Sequence, residues 1–321
     1  MPTTMSEYKK ALRKPPLCEL LLIRDYLDGV AVQMDGSFVA GYELDGLNSY
    51  YHDDDMRNRS KRAFEALVRS LPERSIRMQV RFEITEGIGD VRKHYPRLNR
   101  SENPVLQDID RIRMQQWDEN EEKGFYLRHI LHAYFIWNPR THHEMADRQE
   151  GKKRNWFSLS ADKCIQRERR QHEDLLAEFS SLLAGVEQTL AATGMRIRHM
   201  TEDEMFVEAK RSLSPVFEDR GPYRHGEYSI DYRSAREQIV NTSIEDEQEG
   251  YIQVGGFLYT FVSMKDLPDG TFPGILRELM VLDFPVVVNA EVTIPDQTKV
   301  ISGFKSRMKK MQAAQIDSRG G

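Results

Sequence analysis

Apolar residues along this chain recur with two periods, and the switches between them mark strands and helices. Val30-Ala31-Val32-Gln33-Met34 and Phe38 to Leu44 are two apolar runs joined by Asp35-Gly36-Ser37. Asp-Gly between such runs signals a β-hairpin. Phe64, Leu67, Val68 and Leu71 then follow a three-to-four spacing, which places them on one face of a helix. Asp53, Asp54 and Asp55 stand at its start, where carboxylates satisfy free N–H groups and the positive end of the dipole, and Pro72 ends it. Next, Ile76, Met78, Val80, Phe82 and Ile84 alternate with Arg77, Gln79, Arg81 and Glu83. A period of two predicts a half-buried strand.

Residues 87–103 carry no period. Val105, Ile109, Ile112 and Trp117 predict a polar helix from about Pro104, and Leu127 to Trp137 reads as a strand stopped by Asn138-Pro139. Residues 140–165 are charged and mixed, an expected exposed loop leading into the clearest amphipathic helix, with Leu175, Leu176, Phe179, Leu182, Leu183, Val186 and Leu190. Gly194 sits at its C-cap position. Met195 to His199 is a short strand. Thr201 and Glu204 form a capping box for a helix ending near Pro215. Residues 215–250 are polar, with an acidic stretch from Glu245 to Glu249, and read as a connection. Tyr251 to Ser263 is expected as a strand, Pro273 to Leu282 as a helix and Val286 to Ile294 as a strand. A last helix starts near Pro295-Asp296, with Val300, Ile301, Phe304, Met308 and Met311 on one side.

This order predicts an α+β fold: mainly antiparallel sheets with helices packed on one face, ferredoxin-like β-β-α-β elements, then a βαβα segment. The expected division is an N-terminal arm at 1–16, an α+β domain at 17–214, a linker-like connection at 215–250 and the βαβα segment at 251–321.

Composition narrows the class. The chain has 321 residues, 30% charged and 39% hydrophobic, with net charge −5. That balance affords a core and gives no global attraction for nucleic acid or anionic lipid. Cys18 and Cys164 are too few for a disulfide framework or a cysteine-based zinc site and fit a reduced, cytoplasmic setting. No apolar run approaches the roughly 20 residues that span a bilayer.

Candidate chemistry is sparse. The sequence contains no G-x-x-x-x-G-K-[ST], G-x-G-x-x-G or G-x-S-x-G. Val254-Gly255-Gly256-Phe257 is the nearest glycine pair and reads as a bulge or turn. His129 and His132, three apart in a strand, point to opposite faces and cannot share a metal. His142-His143-Glu144 lacks further ligands in view. Asp53–Asp55 could hold a cation, but helix capping explains it. Lys152-Lys153-Arg154 and Arg167, Arg169 and Arg170, near Trp156 and Phe157, are the basic concentration of the chain; Glu168, Glu173 and Asp174 dilute it toward a solvated face or a partner contact. No catalytic, cofactor-binding or metal residue is assigned.

One region carries a resemblance. "SAREQIVNTSIEDEQEGYIQVGGFLYTFVSMKDLPDGTFPGILRELMVLDFPVVVNAEV" has a strand, here Phe257 to Met264, meeting a Pro-x-x-Thr-x-Pro-Gly turn, here Pro268 to Gly274, then a leucine-rich helix and a strand. It resembles a region of the CagE/TrbE/VirB family, the motor ATPases of type IV secretion and conjugal transfer. "VQMDGSFVAGYELDGLN", "LPERSIRMQVRFE" and "TGMRIRHMTEDEMFVEAKRSLSP" resemble earlier pieces in the same order, so the likeness covers roughly residues 20–315. It implies the N-terminal domain of such an ATPase without its RecA-like motor, since no Walker A motif precedes Gly321. ATP and magnesium are then expected only for the motor. The implied role is non-catalytic docking and assembly, with inner-membrane secretion components, the motor and other copies of the chain as partners. Location would be cytoplasmic and peripheral to the inner membrane, with no direct nucleic-acid binding expected. Residues 140–170 and 215–250 are the candidate contacts. Two alternatives stand beside it: a single-stranded nucleic-acid module using 152–170, and an enzyme built on dispersed carboxylates such as Asp53–Asp55 and Glu83.

Overall fold

Two hairpins begin the fold. In the computed structural model β1 (Ile23–Leu27) pairs with β2 (Val30–Gln33) across Asp28-Gly29, whose φ angles are both positive, 55° and 83°. A two-residue turn of that kind matches the twist of the strands it joins, and glycine takes it without a Cβ penalty. The expected Asp35-Gly36 turn then joins β2 to β3 (Phe38–Leu44), with Gly36 at φ 84° and Ser37 N–H donating to Asp35. Residues 16–45, 53–88, 95, 101–141, 161–213, 234–240, 242–245, 250–263 and 281–317 are described.

After helix α1 (Leu17–Leu20) and these hairpins come α2 (Asp54–Ser70), β4 (Ile76–Glu86), α3 (Pro104–Glu122), β5 (Leu127–Trp137), α4 (Ala161–Ala191), β6 (Ile197–His199), α5 (Glu202–Leu213) and α6 (Ala235–Ile239). The chain continues through β7 (Ile244–Glu245), β8 (Ile252–Val254), β9 (Phe257–Tyr259), β10 (Val286–Thr293) and α7 (Gln297–Asp317). The main sheet has the order β1-β2-β3-β5-β4-β10, with β6 also on β3; β7, β8 and β9 form a second, small sheet. All these pairings are antiparallel. The fold is α+β with mostly antiparallel sheets.

Because β-strand side chains alternate, the central sheet has two faces to bury. On one, Phe38, Ala40, Tyr42, Met78, Phe135 and Trp137 meet Leu67 of α2 and Phe179, Leu183, Val186 and Leu190 of α4. Trp137 stacks on Phe179 at 5.5 Å between ring centroids. On the other, Tyr26, Ala31 and Met200 meet Met205 and Phe206 of α5 and Ala235 and Ile239 of α6. Helices therefore cover both faces, not the single face expected. Gly41 permits the second layer: a Cβ there would lie 3.0 Å from Met200 Sδ, 3.1 Å from Met205 Cγ and 3.1 Å from Tyr134 Cε1.

Three local expectations change. The stretch from Tyr251 to Ser263 is not one strand but the β8–β9 hairpin, turned at Gly255-Gly256, both at positive φ. Helix α4 starts at Ala161, inside the stretch expected to be loop. β10 pairs with β4 along its length, from Val286 opposite Ile84 to Thr293 opposite Arg77, so it belongs to the main sheet. The expected helix at Pro273–Leu282 and the Pro268–Gly274 turn fall almost wholly outside the described residues.

Candidate functional site

Among the described residues, the densest buried charge lies between β4, β5 and α5. Residues 81 and 83 share the face of β4 opposite Met78, as period two requires, and α5 lays Glu208 and Arg211 over them. Glu83 is only 5% exposed. Arg211 grips both of its oxygens, Nη1 on Oε1 and Nη2 on Oε2 at 2.8 Å, while Arg81 Nη2 donates to Oε2 at 3.0 Å. Arg211 also donates to Glu208 Oε2 at 2.6 Å, within its own helix. Burial alone would raise the Glu83 pKa; the Arg211 and Arg81 guanidiniums more than reverse this and hold it below the ordinary carboxylate value. A bidentate fork on a carboxylate fixes geometry as well as charge.

His132 and Tyr134 of β5 face the same cluster. Burial holds His132 below its ordinary pKa, against the opposing pull of Glu208 and Glu43, so the ring is neutral, and its Nδ1 has no hydrogen-bond partner. Burial pushes the Tyr134 hydroxyl up to about 12 and raises that of Tyr259. Lys210 is also buried, its ammonium 5.7 Å from the Phe206 ring centroid. With both oxygens of Glu83 taken by arginines, the cluster works as a brace between sheet and α5 rather than as a poised base.

A second feature lies on the other face, a cavity of about 310 Å³ lined by Tyr42, Glu187, Ala191, Met195, Ile197 and His199. The buried Tyr42 hydroxyl donates to Glu187 at 2.8 Å, and His199 meets the Tyr42 ring edge-on at 5.0 Å. Burial and the Glu187 carboxylate raise the Tyr42 pKa, so the phenol stays protonated. Neither feature was legible locally. The only signals were Arg81-x-Glu83 on one strand face and Glu208-x-x-Arg211 on one helix face, and nothing in the sequence paired them.

Asp53 is the N-cap of α2, accepting from Met56 N–H at 2.8 Å. α2 packs on the Met78 face of the sheet and Glu83 lies on the other, so the structure does not bring these carboxylates together. His129 and His132 occupy opposite faces of β5. His142-His143-Glu144, Lys152–Arg154, Trp156 and Phe157 lie outside the described residues. Arg167, Arg169 and Arg170 are exposed on α4, where Arg169 pairs with Glu173 at 3.4 Å. Among the described residues no group of three or more His, Cys, Asp or Glu is placed to hold a metal ion, and no helix is long and apolar enough to cross a membrane.

Among the described residues, two helices keep rows of four apolar side chains on the surface. Val105, Leu106, Ile109 and Ile112 of α3 and Ile301, Phe304, Met308 and Met311 of α7 are all exposed. Phe257, Leu258, Phe261 and Val262, around the end of the β8–β9 hairpin, are exposed too, Val262 at 95%. Surface rows of this kind mark contact sites more often than single exposed residues do. No protein-family model matches the chain, and no match is found among curated proteins.

Proposed function

We propose that this chain is a non-catalytic docking and assembly domain of a type IV secretion ATPase. In this reading it sits in the cytoplasm, holds the motor to inner-membrane components of the secretion complex, and is peripheral to the membrane through those partners. ATP and magnesium belong to the motor, not to this chain. The observation that carries the reading is the pair of apolar rows left uncovered on α3 and α7. A fold that fills both faces of its sheet and still leaves two such rows in solvent offers them to partners. The ordered sequence resemblance over residues 20–315 supplies the identity of the apparatus.

Cross-linking of a tagged full-length chain in its own host, followed by mass spectrometry, tests it. Cross-links to type IV secretion inner-membrane components are expected. Cross-links confined to proteins outside such an apparatus, or ATP hydrolysis by the purified chain, would overturn the reading.

A further inference from the structure

The helices that carry these two rows are opposites in charge. Helix α7 carries Lys299, Lys305, Arg307, Lys309 and Lys310 between Gln297 and Met311, with no acidic residue in that span. Its apolar side chains, Ile301, Phe304, Met308 and Met311, follow a three-four-three spacing, the seam of a helix that packs lengthwise on another. At about 100° per residue, Lys305 flanks that seam on one side and Arg307 on the other, with Lys310 further round on the Arg307 side. Phe304 is 62% and Met311 70% exposed.

Helix α3 has six carboxylates against two arginines. Its row is Val105, Leu106, Ile109 and Ile112. The same angular step sets Asp108 and Glu119 along one side of it. Asp110 and Glu121 lie on the half-buried side, where Tyr95 Oη donates to Asp110 at 2.6 Å and Ile88 N–H to Glu121 at 3.3 Å. Arg111 and Arg113 are turned to this helix's own Asp108 and Asp110, at 2.9 and 3.2 Å. Each helix thus presents an apolar stripe edged by charge, basic on α7 and acidic on the Asp108 side of α3; the stripes run from Ile301 to Met311 and from Val105 to Ile112.

Within one copy the two helices are rooted far apart. α7 follows Thr293, which pairs with Arg77 at one end of β4; α3 lies between Glu86 and Leu127, which pair at the other end. Those ends are about 30 Å apart at the usual strand rise. Two α7 helices would bring like charges together, whereas α7 against α3 joins opposite ones and covers both stripes.

We propose that α7 of one copy docks lengthwise on α3 of a second copy of this chain. This names the interface for the assembly half of the reading above and rests on it only there. Failure of the contact leaves docking to the secretion complex untouched, which the cross-linking experiment reads separately. The contact joins two different surfaces, so each copy keeps one of each free after the first contact unless the assembly closes.

Sedimentation equilibrium of the full-length chain tests it. Concentration-dependent self-association is expected, weakened about tenfold between about 50 mM and about 500 mM salt, because flanking charges on an exposed contact are screened. The triple variant Lys305→Glu, Arg307→Glu, Lys310→Glu and the double variant Asp108→Lys, Glu119→Lys should each lose self-association while keeping wild-type circular dichroism. An equimolar mixture of the two should regain it, because opposite charges again face each other. A chain that is monomeric at every salt concentration, variants that associate like the wild type, or a mixture that stays monomeric would overturn the proposal. So would flotation of a monomeric chain with phosphatidylglycerol vesicles, which would assign α7 to a lipid surface instead.

Discussion

A carboxylate as buried as Glu83 is tolerable only when its charge is met. Arg211 and Arg81 meet it, so the cost of removal falls on them. Glu83→Gln leaves Arg211 buried against a neutral amide and should lower the unfolding free energy by about 3 kcal/mol or more. Replacing the pair together, Glu83→Leu with Arg211→Met, should cost much less, because the buried charges leave with their desolvation penalty. Urea unfolding of the single and double variants separates these outcomes; equal losses would mean that the pair packs rather than braces. The same cluster sets an acid limb. Glu83 is depressed in the fold, so its contribution is complete above the ordinary carboxylate value of 4.5 and is lost as pH falls through the lower folded value. His132 is depressed too, and for it the loss begins as pH drops below 6.5, because the unfolded ring takes a proton that the buried ring resists. Stability should therefore decline gently below about pH 6.5 and steeply below about 4.5, and His132→Gln should remove the gentle part. A wild-type urea midpoint unchanged between those values would contradict the buried neutral histidine. None of this was readable from β4 alone, where Arg77, Gln79, Arg81 and Glu83 form one polar face. Only the placement of α5 makes part of that face interior.

At the scale of elements, legibility follows how local the cause is. The start of α2 is local: Asp53 accepts Met56 N–H, and Asp54 and Asp55 fill the first turn. Asp53→Ala should cost about 1 kcal/mol by the same unfolding assay, with no effect on any metal dependence. The Thr201 and Glu204 capping box is equally local, with Thr201 N–H donating to Glu204 at 2.8 Å and Glu204 N–H to Thr201 Oγ1 at 3.2 Å. The β8–β9 hairpin was partly legible, because Gly255-Gly256 announced a turn whose consequence, two three-residue strands, needed the positive φ of both glycines. The second helical layer was not legible. Its close approach depends on Gly41, which lies mid-strand beside Tyr42 and gives no periodic signal. Gly41→Val should test that contact, destabilising by about 1–3 kcal/mol as the methionines of the second layer are forced away from the sheet. A neutral result would show that Met200 and Met205 repack freely.

For the molecule as a whole, the C-terminal segment does two separable jobs. Strand β10 covers the edge of β4, pairing over its eight residues, and its Val292 and the following Ile294 pack on the first core. Helix α7 lies beyond that core, with every residue from Ile301 to Met311 exposed. Its apolar row is visible in the sequence, but whether such a row faces inward or outward is decided by whether any sheet surface remains to receive it. Here α2, α4, α5 and α6 have already taken both faces. Truncation after Asp296 should accordingly leave the urea midpoint nearly unchanged and abolish only self-association. Truncation after Asp283 removes β10 as well and bares β4, an eleven-residue strand with unpaired backbone groups along one side. An uncovered strand of that length invites edge-to-edge pairing, so this shorter chain should unfold at lower urea and scatter light as it aggregates. If the two truncations behaved alike, α7 would be part of the folding unit rather than an arm presented to a partner. The order expected is therefore specific: loss of assembly first, loss of solubility only when the strand goes.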